Sequence, residues 1–541
     1  MAIDDPATSG GGGEAVARPL VGKRELGFIM VALFVSLLLS ALDQTIFSTT
    51  LPTVVGELKG VEQMLWVTTA YILAVTVTMP VYGKLGDLLG HKPLLLGAQG
   101  LFLAGSILGG LARSMPVLIG ARAIQGLGGG GLMILGTAIV ADIIPPRRRG
   151  TYIGILMAAW SFASVLGPIL GGWFADSVGW RWAFWFNLPL GFVSVGLVVA
   201  FLRAPFQKTA RPQLDKAGMS SMAVATTALI LLISWGGRQF AWGSPVILAL
   251  GGVAVVAAAV LVLVERKAAE PIIPLHLFRD RNFDLVTAGG LLSSIAFIGV
   301  IIYMPSYLQM VTGLSATKSG LLLVPGSLGI LAASLGSGVI ASKTGRYRWM
   351  PVVSGVIIAL SLYLFSTLSA ESPVWFASLF LFIHGVGSGI GFQVLTLIAQ
   401  NSFPVTEVGT ATGAHNFFKQ IGASLGAAVV GTLFTGRLVD QLSQRLPATG
   451  DGGPAVADPN SLTPALVAHL PANVKDAIVA SYNQALTPVY LYLLPIMVLA
   501  IVLFLFVKEK PLALTNQEPA GERPQDQVTA DERLLVSAEA D

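Results

Sequence analysis

The sequence predicts an all-α protein that crosses a membrane many times. Of the 541 residues, 54% are hydrophobic and only 11% are charged, which is far more apolar than a soluble globular protein requires. Apolar stretches of about 20 residues, the length that crosses a bilayer as a helix, recur along most of the chain. The basic residues stand mainly in the short segments between these stretches. A polytopic helical membrane protein is therefore the predicted fold class.

Charged residues, prolines and glycine clusters divide the apolar sequence into fourteen predicted spans. They lie at about 26–50, 64–83, 93–111, 115–142, 150–173, 182–202, 217–236, 244–264, 285–309, 318–341, 349–369, 373–399, 408–434 and 486–507. An even number of spans places both termini on the same side of the membrane.

The distribution of Lys and Arg predicts the orientation of these spans. With the N-terminus in the cytoplasm, 23 of the 33 basic residues fall in inside segments and 8 in outside segments. The other two, Arg122 and Lys419, fall within spans. Cytoplasmic loops carry the excess of Lys and Arg, so both termini are expected to be cytoplasmic. Residues 1–25 and 508–541 have the composition of disordered tails.

Several classes of function are excluded or disfavoured by what the sequence lacks. The net charge of +4 is spread over short loops rather than gathered in one patch, so nucleic acid is not an expected partner. There is no Gly-x-x-x-x-Gly-Lys-[Ser/Thr] loop for ATP, no cysteine and no His-Glu-x-x-His pair. A metal site, an enzyme or an ATP-driven pump is therefore not predicted. The sequence also lacks the sensor domain expected of a receptor and the filter ring expected of a channel.

An internal repeat divides the spans into two halves. Three segments recur in order at offsets of 255, 259 and 259 residues: 83–92 with 338–346, 125–130 with 384–389, and 163–167 with 422–426. The sequence thus predicts two homologous six-helix halves. The predicted units are an N-terminal half at 26–202, two inserted helices with cytoplasmic loops at 203–284, and a C-terminal half at 285–507 with a long outer loop at 435–485.

Asp43 and Arg122 are charges inside predicted spans. Asp43 lies roughly 25 Å from the cytoplasmic end of span 1, and Arg122 roughly 10 Å from the outer end of span 4. In a core about 30 Å thick these depths match, so the two can form a pair or be solvated separately. Their repeat counterparts are the neutral Ala296 and Leu381. Charges at membrane depth are costly, and this asymmetry favours a chemical role over a packing role.

The motifs resemble those of the major facilitator superfamily, and within it those of the fourteen-span drug:proton antiporters. The segment 83–92 is similar to the superfamily's signature between spans 2 and 3, and 118–130 is similar to its span-4 motif. The segment 163–172 is similar to the span-5 antiporter motif, while 42–52 and 180–189 are similar to the runs in spans 1 and 6. The resemblance covers about residues 26–507 and departs from the usual pattern at His91, where Arg is common.

This resemblance implies a major-facilitator fold and a proton-coupled secondary exporter of hydrophobic or amphipathic compounds that works by alternating access. The expected partners are a small substrate, protons and the lipid bilayer. The proton gradient is the energy source, with no cofactor, and a monomer in a bacterial inner membrane is expected. The alternatives are a dedicated exporter of one natural product, siderophore or lipid and, from another class, a membrane-embedded enzyme or a receptor.

The resemblance also assigns candidate roles to individual residues. Proton coupling is expected at Asp43 and Arg122. The other groups are a conformational latch at Gly83, Asp87, Gly90, Lys92 and Asp142, an antiporter motif at Gly167, Pro168, Gly171 and Gly172, and a substrate cavity at Gln125, Trp160, Tyr303, Tyr307, Phe417 and Lys419. Asp142 is expected to accept a bond from Lys92 or Arg147, or to be a solvated helix-end carboxylate. Lys419 either contacts an anionic or polar substrate group or belongs to a structural ion pair.

Overall fold

The computed structural model describes residues 22–58, 63–202, 214–237, 239–314, 316–445, 467 and 470–512. In this part of the chain fifteen α-helices follow one another. They are α1 (Lys23–Leu58), α2 (Met64–Leu89), α3 (His91–Gly110), α4 (Met115–Ile143), α5 (Pro146–Trp173), α6 (Trp182–Trp185), α7 (Asn187–Phe201), α8 (Lys216–Trp235), α9 (Pro245–Glu265), α10 (Arg281–Thr312), α11 (Ala316–Thr344), α12 (Met350–Ser366), α13 (Val374–Asn401), α14 (Val408–Arg445) and α15 (Ala472–Leu505).

The helices agree with the predicted all-α membrane class. Within the described residues, thirteen helical segments are long and apolar enough to cross a membrane, with α6 and α7 together forming one of them. The predicted eleventh span is α12, which has 17 residues and stands at the short end of the range for a spanning helix. All fourteen predicted spans therefore correspond to helical segments.

The two predicted halves show the same pattern of helix packing. In the first half α1 packs on α5 and α7, and α4 packs on α2 and α3. In the second half α10 packs on α14 and α15, and α13 packs on α11 and α12. The inserted helices α8 and α9 pack on each other, and α8 also contacts α2 and α14. Equivalent helices thus occupy equivalent places, as expected of a duplicated unit.

The largest contacts between the halves are those of α2 with α14 and of α5 with α11. Both pairs approach most closely near the end of the bundle that carries Lys84, Lys92 and Arg147, which we call the basic end. A Cβ on Gly83 of α2 would collide with the Gly409 carbonyl of α14. A Cβ on Gly150 of α5 would meet the Gly338 carbonyl of α11 at 3.0 Å. Small residues allow this backbone contact between membrane helices.

The outer segment at 435–485, expected to be a loop with a short helix in the amphipathic stretch near 472–485, is helical at both of its ends. Helix α14 continues to Arg445, and α15 already begins at Ala472 instead of at the predicted start of span 14. Both helices therefore extend well past the apolar stretches that defined their spans. Residues 446–466 of this predicted loop lie outside the described residues.

The first residues of the predicted disordered C-terminal tail, 508–512, are bound to the rest of the protein. Lys508 exchanges backbone hydrogen bonds with the Asn282 side chain, at 2.7 and 2.9 Å. Lys510 bonds the Tyr347 hydroxyl through its backbone and pairs with Asp280 through Nζ at 2.5 Å. The segment 508–512 is thus fastened to the start of α10 and to the α11–α12 turn. The predicted tails at 1–21 and 513–541 lie outside the described residues.

Candidate functional site

Asp43 and Arg122 form a buried ion pair at the centre of the N-terminal half. Arg122 Nη1 of α4 donates to Asp43 Oδ2 of α1 at 2.5 Å, and each side chain is 2% exposed. Helices α1 and α4 thus bring together the two charges whose depths match in the sequence. Because a buried charge is expensive without a partner, each of these groups neutralises the other.

Amide and hydroxyl groups complete the shell around the carboxylate. Gln125 Nε2 donates to Asp43 Oδ1 at 2.7 Å, and Asn187 Nδ2 donates to the same oxygen at 3.1 Å. Gln125 and Asn187 both also donate to Ser106 Oγ, and Arg122 Nη1 donates to Gln125 Oε1 at 2.8 Å. Helices α4 and α7 therefore donate to the carboxylate of α1, and Ser106 of α3 accepts from two of the donor side chains.

Two aromatic rings flank the guanidinium of this pair. The Arg122 Cζ atom lies 4.4 Å from the Phe47 ring centroid and 4.2 Å from the Tyr71 ring centroid. The Tyr71 hydroxyl is 3.1 Å from Ser40 Oγ. Ring faces attract a cation, so Arg122 keeps favourable contacts that do not depend on the Asp43 charge. Arg122 Nε has no hydrogen-bond partner among the described residues.

Gln125, a predicted cavity residue, lies in the ion-pair network in this structure, and its place in a substrate cavity stays a prediction. It is fully buried. The sequence carries a signal for this placement, because Gln125 stands three residues after Arg122 and so on the same helix face. Asn187, Ser106 and Tyr71 were not among the predicted site residues. Only the packing of separate helices brings them to Asp43.

Asp87 lies where α2 of one half meets the start of α14 of the other half. Its carboxylate accepts from the Gly409 N–H at 3.0 Å, from the Thr410 N–H at 2.6 Å and from the Thr410 hydroxyl at 2.5 Å. The first N–H groups of a helix have no partner within the helix, and the positive end of the helix dipole lies there. Asp87 thus caps α14 across the boundary between the halves.

Another predicted latch residue, Asp142, contacts His91 at the basic end. His91 Nδ1 donates to Asp142 Oδ2 at 2.6 Å, and His91 Nε2 lies 3.6 Å from Asp87 Oδ1. Lys92 instead donates to the Val199 carbonyl at 3.3 Å. Gly90, which separates α2 from α3, has a φ of +89° that favours glycine. The expected bond from Lys92 to Asp142 is therefore replaced by one from His91.

Arg147, the other expected donor to Asp142, reaches across to α11. Its guanidinium donates to the carbonyls of Ser342 and Lys343, both at 3.3 Å. Thr151 Oγ1 lies 3.0 Å from Ser342 Oγ in the same contact. Cations near the end of a helix interact favourably with its last carbonyls. Arg147 therefore binds the last carbonyls of α11 with a positive charge, whereas Asp87 binds the first N–H groups of α14 with a negative charge.

The predicted antiporter motif of α5 packs against α1. A Cβ on Gly167 would collide with the Thr45 side chain, and one on Gly171 would meet the Ile46 carbonyl at 2.7 Å. Pro168 lies inside α5, so the helix lacks one internal hydrogen bond there. Gly172 differs, since nothing lies within 4 Å of its Cβ position among the described atoms. Gly167 and Gly171 thus make the close contact, and Gly172 does not.

The predicted aromatic cavity is not one site in the structure. Trp160 packs on the N-terminal core, while the Tyr307 hydroxyl donates to Asn483 of α15 at 2.9 Å. Tyr303 lies against Phe434 of α14, and Phe417 is buried against Phe418. Tyr303, Tyr307 and Phe417 belong to the hydrophobic core of the C-terminal half, whereas Trp160 packs on the core of the N-terminal half. Of the predicted cavity residues, Lys419 lines a cavity that the described residues form.

Another ion pair lies at the end of the N-terminal half opposite the basic end. Arg181 Nη1 donates to Glu57 Oε1 at 2.6 Å, and Trp180 Nε1 donates to Glu57 Oε2 at 2.8 Å. These bonds, the Arg181 bond foremost, hold the pKa of Glu57 below its usual value of 4.5. Glu57 is half exposed, so this pair is worth about 1 kcal/mol or less.

Among the described residues, no group of three or more His, Asp or Glu side chains is placed to hold a metal ion.

Comparison with known proteins assigns the chain to a family. The model of the Major Facilitator Superfamily matches residues 33–427. An uncharacterized MFS-type transporter of Mycobacterium tuberculosis (strain ATCC 25618 / H37Rv) is 38% identical over 518 residues, covering 94% of this chain and 74% of that protein. Multidrug resistance protein 3 of Bacillus subtilis (strain 168) is 32% identical over 91% of this chain and 96% of its own length.

A solved structure agrees with this assignment at the level of the fold. The crystal structure of the human organic anion transporter MFSD10 (TETRAN) is similar with a TM-score of 0.59 at 14% identity. The similarity covers 88% of this chain and 99% of that protein. With a family match over most of its length and a shared fold, this chain belongs to the Major Facilitator Superfamily and is a membrane transporter.

Proposed function

We propose that this transporter is a proton-coupled exporter of hydrophobic or amphipathic compounds. Substrate would leave in exchange for protons, by alternating exposure of a central site to the two sides of the membrane. Asp43 would be the residue that binds the transported proton, and Arg122 the residue that sets its charge balance. The name of the Bacillus subtilis relative, which includes multidrug resistance, supports efflux as the direction and a broad substrate range.

The buried pair of Asp43 and Arg122 carries this proposal. A carboxylate that is 2% exposed in the middle of a membrane protein exchanges protons only when the surrounding helices move. Protonation would remove its negative charge and leave the Arg122 cation with only amide and ring contacts. That state is electrostatically worse in a closed, dry site. Proton binding at Asp43 would therefore favour a conformation in which water or a substrate reaches the pair.

The contacts at the basic end support the second part of the cycle. Asp87 and Arg147 each bond the backbone of the opposite half at a helix end. These bonds, together with the Gly83 and Gly150 contacts, hold the two halves together at that end. We propose that the basic end faces the cytoplasm, with both termini on that side, and that these contacts break when the site opens inward. We also propose the two halves and the inserted α8–α9 pair as the domains of the molecule.

The decisive experiment measures gradient-driven transport in inverted membrane vesicles. A lipophilic dye is expected to accumulate when a pH gradient is imposed and to stop when the gradient is collapsed. The variant Asp43→Asn keeps the shape of the side chain and removes its titratable charge, so gradient-driven uptake is expected to fall to the rate without a gradient. The matched control is Glu57→Gln, which makes the same change near the far end of the same helix and is expected to retain uptake.

Two results would contradict the proposal. Full gradient-driven uptake by Asp43→Asn would show that Asp43 is not the proton site. Uptake by the unaltered protein that does not depend on the pH gradient would show that transport is not coupled to protons.

A further inference from the structure

We propose that the C-terminal half holds a subsite for one anionic oxygen of an amphiphilic substrate, with Lys419 as its cation. The headgroup would be a carboxylate, sulfonate or phosphate carried on an apolar body. This inference rests on the proposed export function for its physiological meaning, but the subsite can be tested by binding alone.

The subsite is a small cavity between four helices of the C-terminal half. Helix α10 contributes Ser293, α12 contributes Ser354, α13 contributes Ser388 and Phe392, and α14 contributes Lys419. The space holds about one water molecule, which is the size of one headgroup oxygen rather than of a whole substrate. The side chain of Lys419 remains partly accessible, so the rest of a ligand would continue along this side chain.

Lys419 has no anionic partner in the described part of the chain. No hydrogen bond or ion pair is formed by its Nζ there. The contact that stabilises its charge is the Phe392 ring, whose centroid lies 4.8 Å from Nζ. Lys419 stands eleven residues into α14, about 16 Å from the helix start and thus at membrane depth. An unpaired cation at this depth is costly and marks a functional site by default.

Hydroxyl groups that line the same cavity as Lys419 have unused hydrogen-bonding capacity. Ser388 is 2% exposed, and its Oγ has no partner among the described residues. Ser293 Oγ is likewise buried without a partner. Ser354, in contrast, already donates to the Gly387 carbonyl at 2.7 Å. Buried hydroxyls normally have a hydrogen-bond partner, so the two free hydroxyls that line the same cavity as Lys419 are available to an anionic oxygen.

The two halves differ in a way that supports this assignment. In the N-terminal half the cation Arg122 is neutralised by Asp43. At the repeat offset of 259 residues, Lys419 corresponds to Trp160, so the lone cation is specific to the C-terminal half. A structural ion pair, the other role considered for Lys419, is not formed with any described residue. This arrangement fits a charge that an incoming ligand completes.

The test measures binding to the purified full-length protein with two fluorescent probes that share one apolar body. Dansylaminoundecanoic acid carries a carboxylate, and its methyl ester carries none. The measured quantity is the ratio of the two dissociation constants. A charge-assisted hydrogen bond is worth about tenfold or more in affinity, so Lys419→Gln is expected to lower the preference for the acid by at least about tenfold. Lys419→Arg is expected to retain most of the preference.

Two further variants complete the design. Ser388→Ala removes one free donor and is expected to lower the preference for the acid about threefold, a small neutral hydrogen-bond effect. Lys267→Gln removes an exposed lysine outside the cavity and is expected to leave the ratio unchanged. If Lys419→Gln does not fold, the Ser388→Ala result decides the question.

An acid-to-ester ratio that stays the same in folded Lys419→Gln, or in Ser388→Ala where the first variant fails, would overturn the subsite. No pH gradient is present in this experiment. If proton-driven export fails, a changed acid-to-ester ratio still supports the subsite. If the ratio does not change, the export proposal is unaffected.

Discussion

Replacing Asp87 with Asn is expected to open the basic end of the transporter. The Asp87 carboxylate receives three hydrogen bonds from Gly409 and Thr410 at the start of α14. Asparagine retains one acceptor oxygen but loses the charge. Charge-assisted bonds are worth about 1.5–3 kcal/mol and neutral ones about 0.5–1.5 kcal/mol, while the helix dipole adds about 0.3–1 kcal/mol. The closed state should lose about 2–4 kcal/mol in total.

That loss corresponds to a population of the open state about thirty to a thousand times larger. The natural chain contains no cysteine, so a single introduced cysteine can report this change. Ser334 is fully buried on α11, and its backbone contacts Gly154 of α5. In a Ser334→Cys protein, the rate of maleimide labelling is set by opening between α5 and α11. Asp87→Asn is expected to raise that rate at least about thirtyfold.

Two controls separate opening from damage. Ser361→Cys places a thiol inside the C-terminal half, where Ser361 is fully buried beside His384, so faster labelling there would indicate unfolding rather than opening. Glu57→Gln makes the same chemical change at the opposite end of the N-terminal half. The reasoning is refuted if Asp87→Asn labels Ser334→Cys no faster than Glu57→Gln does, with both proteins folded.

Three further substitutions test the α1–α5 packing and the Glu57–Arg181 ion pair of the N-terminal half. Gly167→Ala places a methyl group into the Thr45 side chain and is expected to cost about 1–3 kcal/mol of thermal stability, whereas Gly172→Ala meets nothing within 4 Å and should melt like the unaltered protein. Equal melting temperatures for the two variants would contradict the assigned α1–α5 contact. For Glu57, the bond from Arg181 holds the folded-state pKa below 4.5, so its stabilisation is present above that pH and lost as the pH falls. Glu57→Gln should therefore melt slightly lower than the unaltered protein at neutral pH by differential scanning calorimetry, with the difference shrinking below about pH 4.5.

The spans and the depth of the charges could be predicted because both depend on distance along the chain. Hydropathy locates a span, and the rise of 1.5 Å per residue converts sequence position into depth. That reasoning placed Asp43 and Arg122 at the same depth in the membrane. It could not supply Asn187 or Ser106, because the rotation of one helix against another depends on packing between segments far apart in the sequence.

The failures have separate physical causes. Tyr303, Tyr307 and Phe417 were grouped as a cavity because an aromatic side chain suits lipid, core and binding site equally well. Lys92 and Arg147 were the expected donors to Asp142, yet Lys92 bonds a carbonyl of α7 and Arg147 bonds carbonyls of α11, while His91 contacts Asp142. The outer loop was inferred from polar composition, and polar residues do not end a helix that continues beyond the membrane.

The paired charge of one half and the lone cation of the other constrain how proton and substrate can be coupled. A cationic substrate near Asp43 would compete with a proton directly, because both neutralise the same carboxylate. An anionic headgroup at Lys419 would not compete with a proton. Protonation of Asp43 makes the interior more positive, and this favours binding of an anion. Exchange of an anionic substrate for protons would therefore require coupling through conformation, with each ligand favouring a different arrangement of the halves. The bonds of Asp87 and Arg147 to the opposite half are the elements whose breaking would carry that coupling.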